Sequence, residues 1–381
     1  MPPTGEKIRF PNLNALRFFA ALAVILFHVE LKKSLFGFPS VWGEWYFISS
    51  IGYHAVTFFF VLSGFLITYL LMKERDTYKT ISIGRFYGRR VLRILPVYLL
   101  TLGVAFFVLP HFPIFDVPVQ TKELVDHFWP ALGLCLVFLS NVMLVVFHNL
   151  ANVDQTWSVS TEEQFYLFWP LLMAWLPPRR MVKTLIWFIV VLAALRFAFA
   201  ASPNSPMVTL LMLNRFGCMA IGGLGAIVVM NKPPKLFPFL TSKKTFASVL
   251  LVTALFLCFN IFPREIRAIQ PDCYSVLFCI LIINFSVAAG VKAPLDHPLL
   301  RLAGDCSYAA YMYHNIFIAL CCNILLRMGY KDSLTCTSLA NLALYVSVLV
   351  VTFLASWLSY VLMERPILRF KTRFSPIQSS S

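Results

Sequence analysis

Eleven apolar segments of 15 to 26 residues run along the chain, and they constrain its fold more than any other feature. A helix needs about 20 apolar residues to cross a bilayer, and in lipid only helices and closed barrels pair all their backbone groups. Charged residues make up 13% of the chain and apolar residues 59%, whereas soluble domains carry roughly 25% charged residues. The sequence therefore predicts an all-α polytopic membrane protein, with apolar segments at residues 13–30, 53–72, 91–109, 131–147, 162–176, 184–201, 207–230, 246–262, 273–290, 306–327 and 338–363.

The segment at 131–147 has Ser140 and Asn141 at its centre, which makes it a poor membrane span. If it does not cross, ten spans remain, and the loops on one side of the membrane hold 23 Lys and Arg against 7 on the other. If it does cross, the two numbers become 14 and 16. Because cytoplasmic loops carry an excess of Lys and Arg, we expect about ten transmembrane helices, both termini in the cytoplasm, and a re-entrant or buried segment near 131–147.

The same segments predict the domain organisation. Residues 1–370 are expected to form a single transmembrane domain, and residues 371–381 a short cytoplasmic tail. The formal net charge is +15, but the basic residues form short clusters between apolar segments. The expected partner is therefore the lipid bilayer and not a nucleic acid. The nine cysteines lie mostly in apolar stretches without a CxxC pair, so we expect neither a disulfide framework nor a metal site.

Two ionisable residues in the first apolar segment are candidates for function. Arg17 stands at its start, and His28 follows eleven residues later, on the same helical face and about 16 Å along the axis. An ionisable group at this depth is costly and commonly marks a pathway or a site. A lone histidine is more often a packing residue held by a carbonyl, but the arginine on the same face favours a functional interpretation.

A cluster of arginines follows the second apolar segment. Arg85, Arg89, Arg90 and Arg93 lie within nine residues, and guanidinium groups bind phosphate oxygens in a bidentate manner. The same cluster would also anchor the loop to anionic lipid. Taken alone, the pattern favours the lipid anchor.

Two further polar motifs begin predicted spans. In WSVSTEEQFY at 157–166, Ser160 and Glu163 have the spacing of a helix capping box. The capping box does not account for Glu162. This carboxylate could orient a histidine or act as an acid or base, or it could be a solvated carboxylate that the helix dipole favours.

In SYAAYMYHN at 307–315, Ser307, Tyr311 and His314 share one helical face, which could line a channel or, more commonly, hydrogen-bond helices together. Arg196 and Arg215 lie within spans and are expected to pair or to snorkel.

These motifs, in this order, resemble the acyltransferase type-3 membrane proteins, which include bacterial O-antigen and exopolysaccharide O-acetyltransferases. Together they cover nearly the whole chain. The likeness is carried by Arg17-x10-His28, FFFVLSGFLI at 58–67, RRVLRILPVY at 89–98 and WSVSTEEQFYLFWP at 157–170, with SYAAYMYH and Glu364-Arg365-Pro366 further on. Asn14 stands where many members have Asp, and Asn315 follows His314 where an aromatic residue is more usual.

The resemblance implies an enzyme of the bacterial cytoplasmic membrane that moves an acyl group, usually acetyl, from cytoplasmic acyl-CoA to a hydroxyl of an extracytoplasmic glycan. It implies no permanently bound cofactor, and polysaccharide-assembly proteins are candidate partners. We expect no appended esterase-like domain, and any partner activity is then expected to come from another chain. The resemblance assigns catalysis to His28 and Glu162, CoA binding to Arg17, Arg90 and Arg93, and substrate contact or structural support to Ser63, Trp157, Tyr311 and His314.

A mechanism follows as a hypothesis. The CoA phosphates lie on the arginines, and the thioester arm runs along the face that joins Arg17 to His28. His28 then deprotonates the acceptor hydroxyl or carries the acyl group, while Glu162 holds the imidazole tautomer.

Two alternatives use the same residues. The chain could be a transporter or flippase for a small anion or glycan, although no internal repeat is visible in the sequence. It could also be a non-catalytic subunit of a polysaccharide-assembly complex.

Overall fold

The computed structural model describes residue 10 and residues 12–40, 45–199, 205–259, 261–287, 295–330 and 338–370. Within these ranges the chain is helical and contains no strand, so the prediction of an all-α membrane protein is confirmed. The predicted tail at 371–381 and Cys336 lie outside the described residues.

Seventeen α-helices make up the described part of the chain. Longer helices are Leu13–Lys33 (α1), Tyr46–Tyr78 (α2), Ile83–Phe107 (α3), Thr156–Trp175 (α7), Pro178–Phe199 (α8), Phe216–Asn231 (α10), Lys243–Cys258 (α12), Gln270–Val287 (α13), Ser307–Arg327 (α15) and Ser338–Ser359 (α16). Shorter helices are Gln120–Asp126 (α4), Phe128–Leu136 (α5), Ser140–Phe147 (α6), Pro206–Leu213 (α9), Leu236–Leu240 (α11), Pro298–Asp305 (α14) and Arg365–Arg369 (α17).

Eight helical stretches in the described residues are long and apolar enough to cross a membrane. They correspond to eight of the ten predicted spans. The predicted span 162–176 corresponds to α7, which carries the adjacent Glu162 and Glu163. The predicted span 246–262 corresponds to α12, which has only 16 residues. Crossing by these two helices stays a prediction.

The segment 131–147 does not form one continuous helix. It is divided between α5 and α6, of 9 and 8 residues, with Phe138 between them at φ 56°. Tyr98 donates a hydrogen bond to the Cys135 carbonyl at 2.8 Å, and the Ser140 amide donates to Ser160 Oγ at 3.2 Å. The break in the backbone is therefore satisfied by neighbouring protein groups, as lipid requires. The segment is therefore not one continuous membrane-spanning helix, and its re-entrant or buried position stays a prediction.

Helix α2 lies at the centre of the bundle, and glycines let α10 approach it closely. A Cβ atom on Gly64 would lie 1.9 Å from the Met219 carbonyl oxygen, and one on Gly222 would lie 2.0 Å from the Val61 oxygen. Small residues at such crossings allow the backbone contact that drives helix association in lipid.

Helix α1 packs against α2, α14 and α15. Near its first turn, Gly304 lies so close to Asn14 that a Cβ would meet the Asn14 carbonyl oxygen at 2.2 Å. Near its last turns, Phe27 packs on Gly52 and Tyr53 of α2. The N-terminal end of α1 therefore lies at the C-terminal end of α14, and its C-terminal end lies beside the first turns of α2.

Candidate active site

One large cavity runs between the helices, with an empty volume of about 1620 Å³ including the open space at its mouth. It follows α2 from Glu74 to Val56, a distance of about 27 Å at 1.5 Å per residue. Helices α1, α3, α7 and α15 supply the other walls. A cavity of this length can hold an extended molecule rather than a compact one.

The cations of the cavity gather at one end, called here the arginine end and formed by Arg17, Arg89, Arg90 and Arg93. They come from the N-terminal turns of α1 and of α3. Three of them are the residues that the sequence analysis assigned to CoA binding, and the structure brings those three together. Arg85 does not line the cavity.

Neighbouring side chains hold the arginine end in place. Arg17 donates to Asn14 Oδ1 at 3.1 Å, and Asn14 donates to Asp305 Oδ1 at 3.0 Å. Arg90 lies over the Tyr166 ring, with its guanidinium carbon 4.9 Å from the ring centroid. Burial raises the pKa of Asp305, although the charges of Arg93 and Arg17 act against this shift.

Glu162 lies in the middle of the cavity. Ser63 Oγ donates to Glu162 Oε1 at 2.7 Å, and the Tyr166 hydroxyl donates to Oε2 at 3.3 Å. No hydrogen bond joins Glu162 to His28 among the described residues. The hypothesis that Glu162 holds the His28 tautomer is therefore wrong, because both carboxylate oxygens face hydroxyls of α2 and α7 instead.

The predicted capping box is also wrong. Helix α7 begins at Thr156, so Ser160 and Glu163 lie inside it and not at its start. Ser160 Oγ accepts from the Ser140 amide and joins α7 to α6, while Glu163 Oε1 is buried and has no hydrogen-bond partner in the part of the chain that the structure describes. The spacing was right for a cap, but the helix begins at Thr156, so Ser160 is already its fifth residue.

The opposite end of the cavity, called here the deep end, carries two hydroxyls. Ser158 Oγ and the Tyr311 hydroxyl lie 2.5 Å apart, and Val56, Phe59 and Val159 line the same region. Ser307 also lines the cavity, so two residues of the predicted polar stripe on α15 face it.

The third residue of that stripe, His314, continues from the deep end towards His28. The Tyr311 and His314 ring centroids are 5.7 Å apart, and those of His314 and His28 are 4.7 Å apart. His28 itself does not line the cavity. It lies beyond the deep end, reached through two ring contacts.

The two histidines have the same arrangement of ring nitrogens. His28 Nδ1 lies 2.9 Å from the Val24 carbonyl oxygen, and His314 Nδ1 lies 2.5 Å from the Tyr311 carbonyl oxygen. A carbonyl only accepts, so each Nδ1 carries the proton and each neutral ring has its lone pair on Nε2. His314 Nε2 is buried and has no hydrogen-bond partner among the described residues. The structure thus leaves the Nε2 atoms of both rings available.

A charged network next to the histidines was missed by the sequence analysis. Lys32 Nζ lies 2.6 Å from Asp154 Oδ2, and Asn315 donates to Asp154 Oδ1 at 2.7 Å. Lys32 follows His28 by one helical turn and Asn315 follows His314 directly, so Asp154 links α1 to α15 beside the histidine pair. The position of Lys32 relative to His28 was the available signal, but Asp154 lies 122 residues away and could not be paired with it.

Trp157 and the two arginines within spans lie outside the cavity lining. Arg215 donates to the Tyr53 carbonyl at 3.0 Å and to the Thr57 hydroxyl, and its guanidinium lies 5.9 Å from the Trp157 ring centroid. Arg196 forms an ion pair with Asp272. The expectation of pairing is confirmed for Arg196, and Trp157 supports the bundle through Arg215.

Comparison with known proteins matches the chain to a family described as the acyltransferase domain, over residues 10–361. Peptidoglycan O-acetyltransferase OatA of Listeria monocytogenes is 24% identical over 382 residues, which cover 94% of this chain and 55% of OatA. Acyltransferase MdmB of Streptomyces mycarofaciens is 25% identical over 395 residues, which cover 100% of this chain and 96% of MdmB.

A Staphylococcus aureus (strain COL) protein with a provisional O-acetyltransferase name is 26% identical over 334 residues, which cover 81% of this chain and 51% of that protein. The chain thus spans about half the length of several curated relatives that it matches. No solved structure matches it significantly. The family match extends over almost the whole helical bundle and over every motif that lines the cavity, and the chain therefore belongs to the acyltransferase type-3 family of multi-pass membrane proteins.

Proposed function

We propose that this chain is a membrane O-acyltransferase that moves an acetyl group from acetyl-CoA to a hydroxyl of a cell-surface or lipid-linked glycan. One observation carries the proposal. A single cavity begins at four arginines and ends at Tyr311, whose ring contacts His314, which in turn contacts His28. The family match and the O-acetyltransferase name of the Listeria relative support the same class of reaction.

The donor is proposed to enter at the arginine end. CoA carries phosphates, and guanidinium groups bind phosphate oxygens through paired, charge-assisted hydrogen bonds. The excess of Lys and Arg on this side of the bundle favours a cytoplasmic orientation, where acyl-CoA is present. With the phosphates on Arg17, Arg90 and Arg93, the acyl arm extends along α2 towards the deep end.

The transfer is proposed to use Nε2 of His28, because Nδ1 is held by the Val24 carbonyl. Acting as a base, Nε2 accepts the proton of the acceptor hydroxyl, and the hydroxyl oxygen forms a bond to the thioester carbonyl carbon. The carbon–sulfur bond breaks, and the CoA thiolate leaves and takes the proton from the imidazolium. A route through an acyl-imidazole uses the same nitrogen as nucleophile.

Glu162 is proposed to shape the middle of the cavity and not to act on the imidazole. It accepts from Ser63 and Tyr166, and Tyr166 in turn lies under Arg90. This arrangement connects the carboxylate to the position of an arginine that would bind the donor. Ser63 thereby supports the site through Glu162.

The test is transfer of labelled acetyl by the full chain in membranes or nanodiscs. Label from acetyl-CoA should appear in alkali-labile esters of the added glycan, and His28→Ala should abolish this while the protein still inserts. The matched control is His111→Ala, which removes an exposed histidine outside the cavity lining.

Two outcomes would contradict the proposal. Uptake of a labelled anion or glycan into vesicles without ester formation would indicate a transporter. Neither ester formation nor uptake, with wild-type protein that is folded and supplied with acceptor, would indicate a non-catalytic subunit.

A further inference from the structure

Attack on a thioester moves negative charge onto the carbonyl oxygen, and a hydrogen-bond donor aimed at that oxygen is commonly a large contribution to catalysis. The proposed function assigns a base but no such donor. The arginines lie at the far end of the cavity from the histidine pair. A donor for the carbonyl oxygen has to be sought among the groups at the deep end.

Ser158 and Tyr311 are the hydroxyl groups that line the deep end in the described part of the chain. Around them stand the apolar side chains of Val56, Phe59 and Phe60. Electrostatic interactions are stronger in such surroundings than in water. The Tyr311 ring also contacts His314, which contacts His28, so the hydroxyl pair lies next to the histidine pair.

The hydrogen bonds around this pair allow two arrangements of the protons, and in one of them the Ser158 proton has only a weak partner. Ser158 Oγ and the Tyr311 hydroxyl are 2.5 Å apart, and the Gln155 carbonyl lies 3.1 Å from the Tyr311 oxygen and 3.3 Å from Ser158 Oγ. When Tyr311 donates to Ser158 along the short contact, the Ser158 proton has only the contact of 3.3 Å, which is long for an O–H···O bond. That proton can turn into the cavity at small cost, and the bond accepted from Tyr311 makes Ser158 a better donor.

We infer that the Ser158 hydroxyl, supported by Tyr311, donates a hydrogen bond to the thioester carbonyl oxygen and stabilises the oxyanion formed during transfer. The inference rests on the proposed acyl transfer. As the acceptor oxygen bonds to the carbonyl carbon, the carbonyl electron pair moves onto oxygen, where the Ser158 O–H meets it. When the carbon–sulfur bond breaks, the pair returns to form the ester carbonyl, and the Ser158 proton stays on Ser158.

The first experiment measures steady-state transfer by Ser158→Ala, Ser158→Thr and wild type in the full chain. Loss of one oxyanion donor lowers kcat by about 10²-fold, so we expect a fall of that order for Ser158→Ala, with a rise of no more than about fivefold in the KM for acetyl-CoA from the lost ground-state hydrogen bond. Ser158→Thr retains the hydroxyl and should recover most of the rate. The matched control is Ser286→Ala, which removes another buried hydroxyl that donates to a carbonyl of its own helix, α13, away from the cavity.

Tyr311→Phe tests the supporting role of the tyrosine. It should lower kcat less than Ser158→Ala does, and the double variant should be no slower than Ser158→Ala alone, because both changes act through one hydroxyl. Multiplied effects in the double variant would overturn the part assigned to Tyr311.

The second experiment needs no turnover and no acceptor. It compares the binding of acetyl-CoA with that of S-ethyl-CoA, in which a CH₂ group replaces the thioester carbonyl. A hydrogen bond to the carbonyl should make wild type bind acetyl-CoA about fivefold more tightly, and Ser158→Ala should remove this difference. A purely structural serine would not change the ratio.

The outcomes separate the two proposals. If wild type transfers acetyl and Ser158→Ala transfers it equally fast, the inference is overturned and the proposed function stands. If wild type neither binds acetyl-CoA nor transfers its acetyl group, the proposed function fails and the inference fails with it.

Discussion

His28 of α1 and His314 of α15 lie with their ring centroids 4.7 Å apart, and both rings direct Nδ1 at a carbonyl of their own helix. Two histidines that are 286 residues apart in the sequence thus lie side by side, each with its lone pair on Nε2. Because a neutral imidazole with its proton on Nδ1 has its lone pair on Nε2, this arrangement leaves Nε2 of His28 for the proton transfer proposed above.

The first prediction concerns these two rings. His28→Ala should lower acetyl transfer by about 10²- to 10⁴-fold, the range for loss of a general acid–base group. His314→Ala should lower it less, because His314 contacts the ring of the proposed base but is not itself that base. Rates are measured with labelled acetyl-CoA at equal amounts of inserted protein. Equal activity of His28→Ala and wild type would remove His28 from the mechanism.

The second prediction concerns the arginine end. Arg90→Ala with Arg93→Ala should raise the KM for acetyl-CoA by at least about tenfold, since a hydrogen bond to a charged group contributes about 1.5–3 kcal/mol, and should change kcat little. The matched control is the double change Arg179→Ala and Arg180→Ala, which removes the same charge from an exposed pair at the start of α8. A similar rise in KM for both double variants would show a general charge effect and not binding at the cavity.

The third prediction separates two roles for Glu162. Because it bonds to Ser63 and Tyr166 and not to His28, Glu162→Gln should lower kcat by no more than about tenfold, the scale of one weakened charged hydrogen bond. Glu163→Gln is the neighbouring control, and it should leave the rate unchanged. If Glu162→Gln lowers kcat as much as His28→Ala does, the carboxylate takes part in the chemical step.

The fourth prediction concerns the ion pair of Lys32 and Asp154, whose side chains are only 2% and 9% exposed. Asp154→Ala should destabilise the protein by about 3–5 kcal/mol, because it leaves Lys32 buried without its counter-charge. Changing Lys32→Met as well should recover much of this loss. Thermal unfolding in detergent measures both effects.

The control for that pair is Asp296→Ala. It removes the partner of Arg301 in a pair whose side chains are 38% and 41% exposed, and such pairs contribute about 0–1 kcal/mol. If Asp154→Ala costs no more than Asp296→Ala, the buried pair of Lys32 and Asp154 does not stabilise the protein.

The fifth prediction concerns the crossing of α2 and α10. Gly64→Ala should destabilise the protein by at least about 1–3 kcal/mol, because the new methyl group would overlap the Met219 carbonyl. Gly103→Ala is the control, since open space surrounds that glycine and alanine favours a helix by up to about 1 kcal/mol. Unfolding midpoints should therefore move in opposite directions for the two variants.

Hydrophobic patterning in the sequence predicted the membrane class, eight of the spans and the broken segment at 131–147, because span length and lipid solvation depend on local composition. It also predicted the arginine cluster, since those residues lie within a few turns of one helix. The start of α7 was missed, because the capping pattern at Ser160 and Glu163 agreed with a helix start although the helix begins at Thr156.

The sequence by itself determined what solvent surrounds this protein and which helices carry its charges and hydroxyls. Only the tertiary structure decided that Glu162 meets Ser63, that Asp154 meets Lys32, and that Ser158 meets Tyr311, across separations of 99, 122 and 153 residues. The physical reason is that helical periodicity fixes which side chains share a face, whereas close packing at glycine crossings fixes which faces meet.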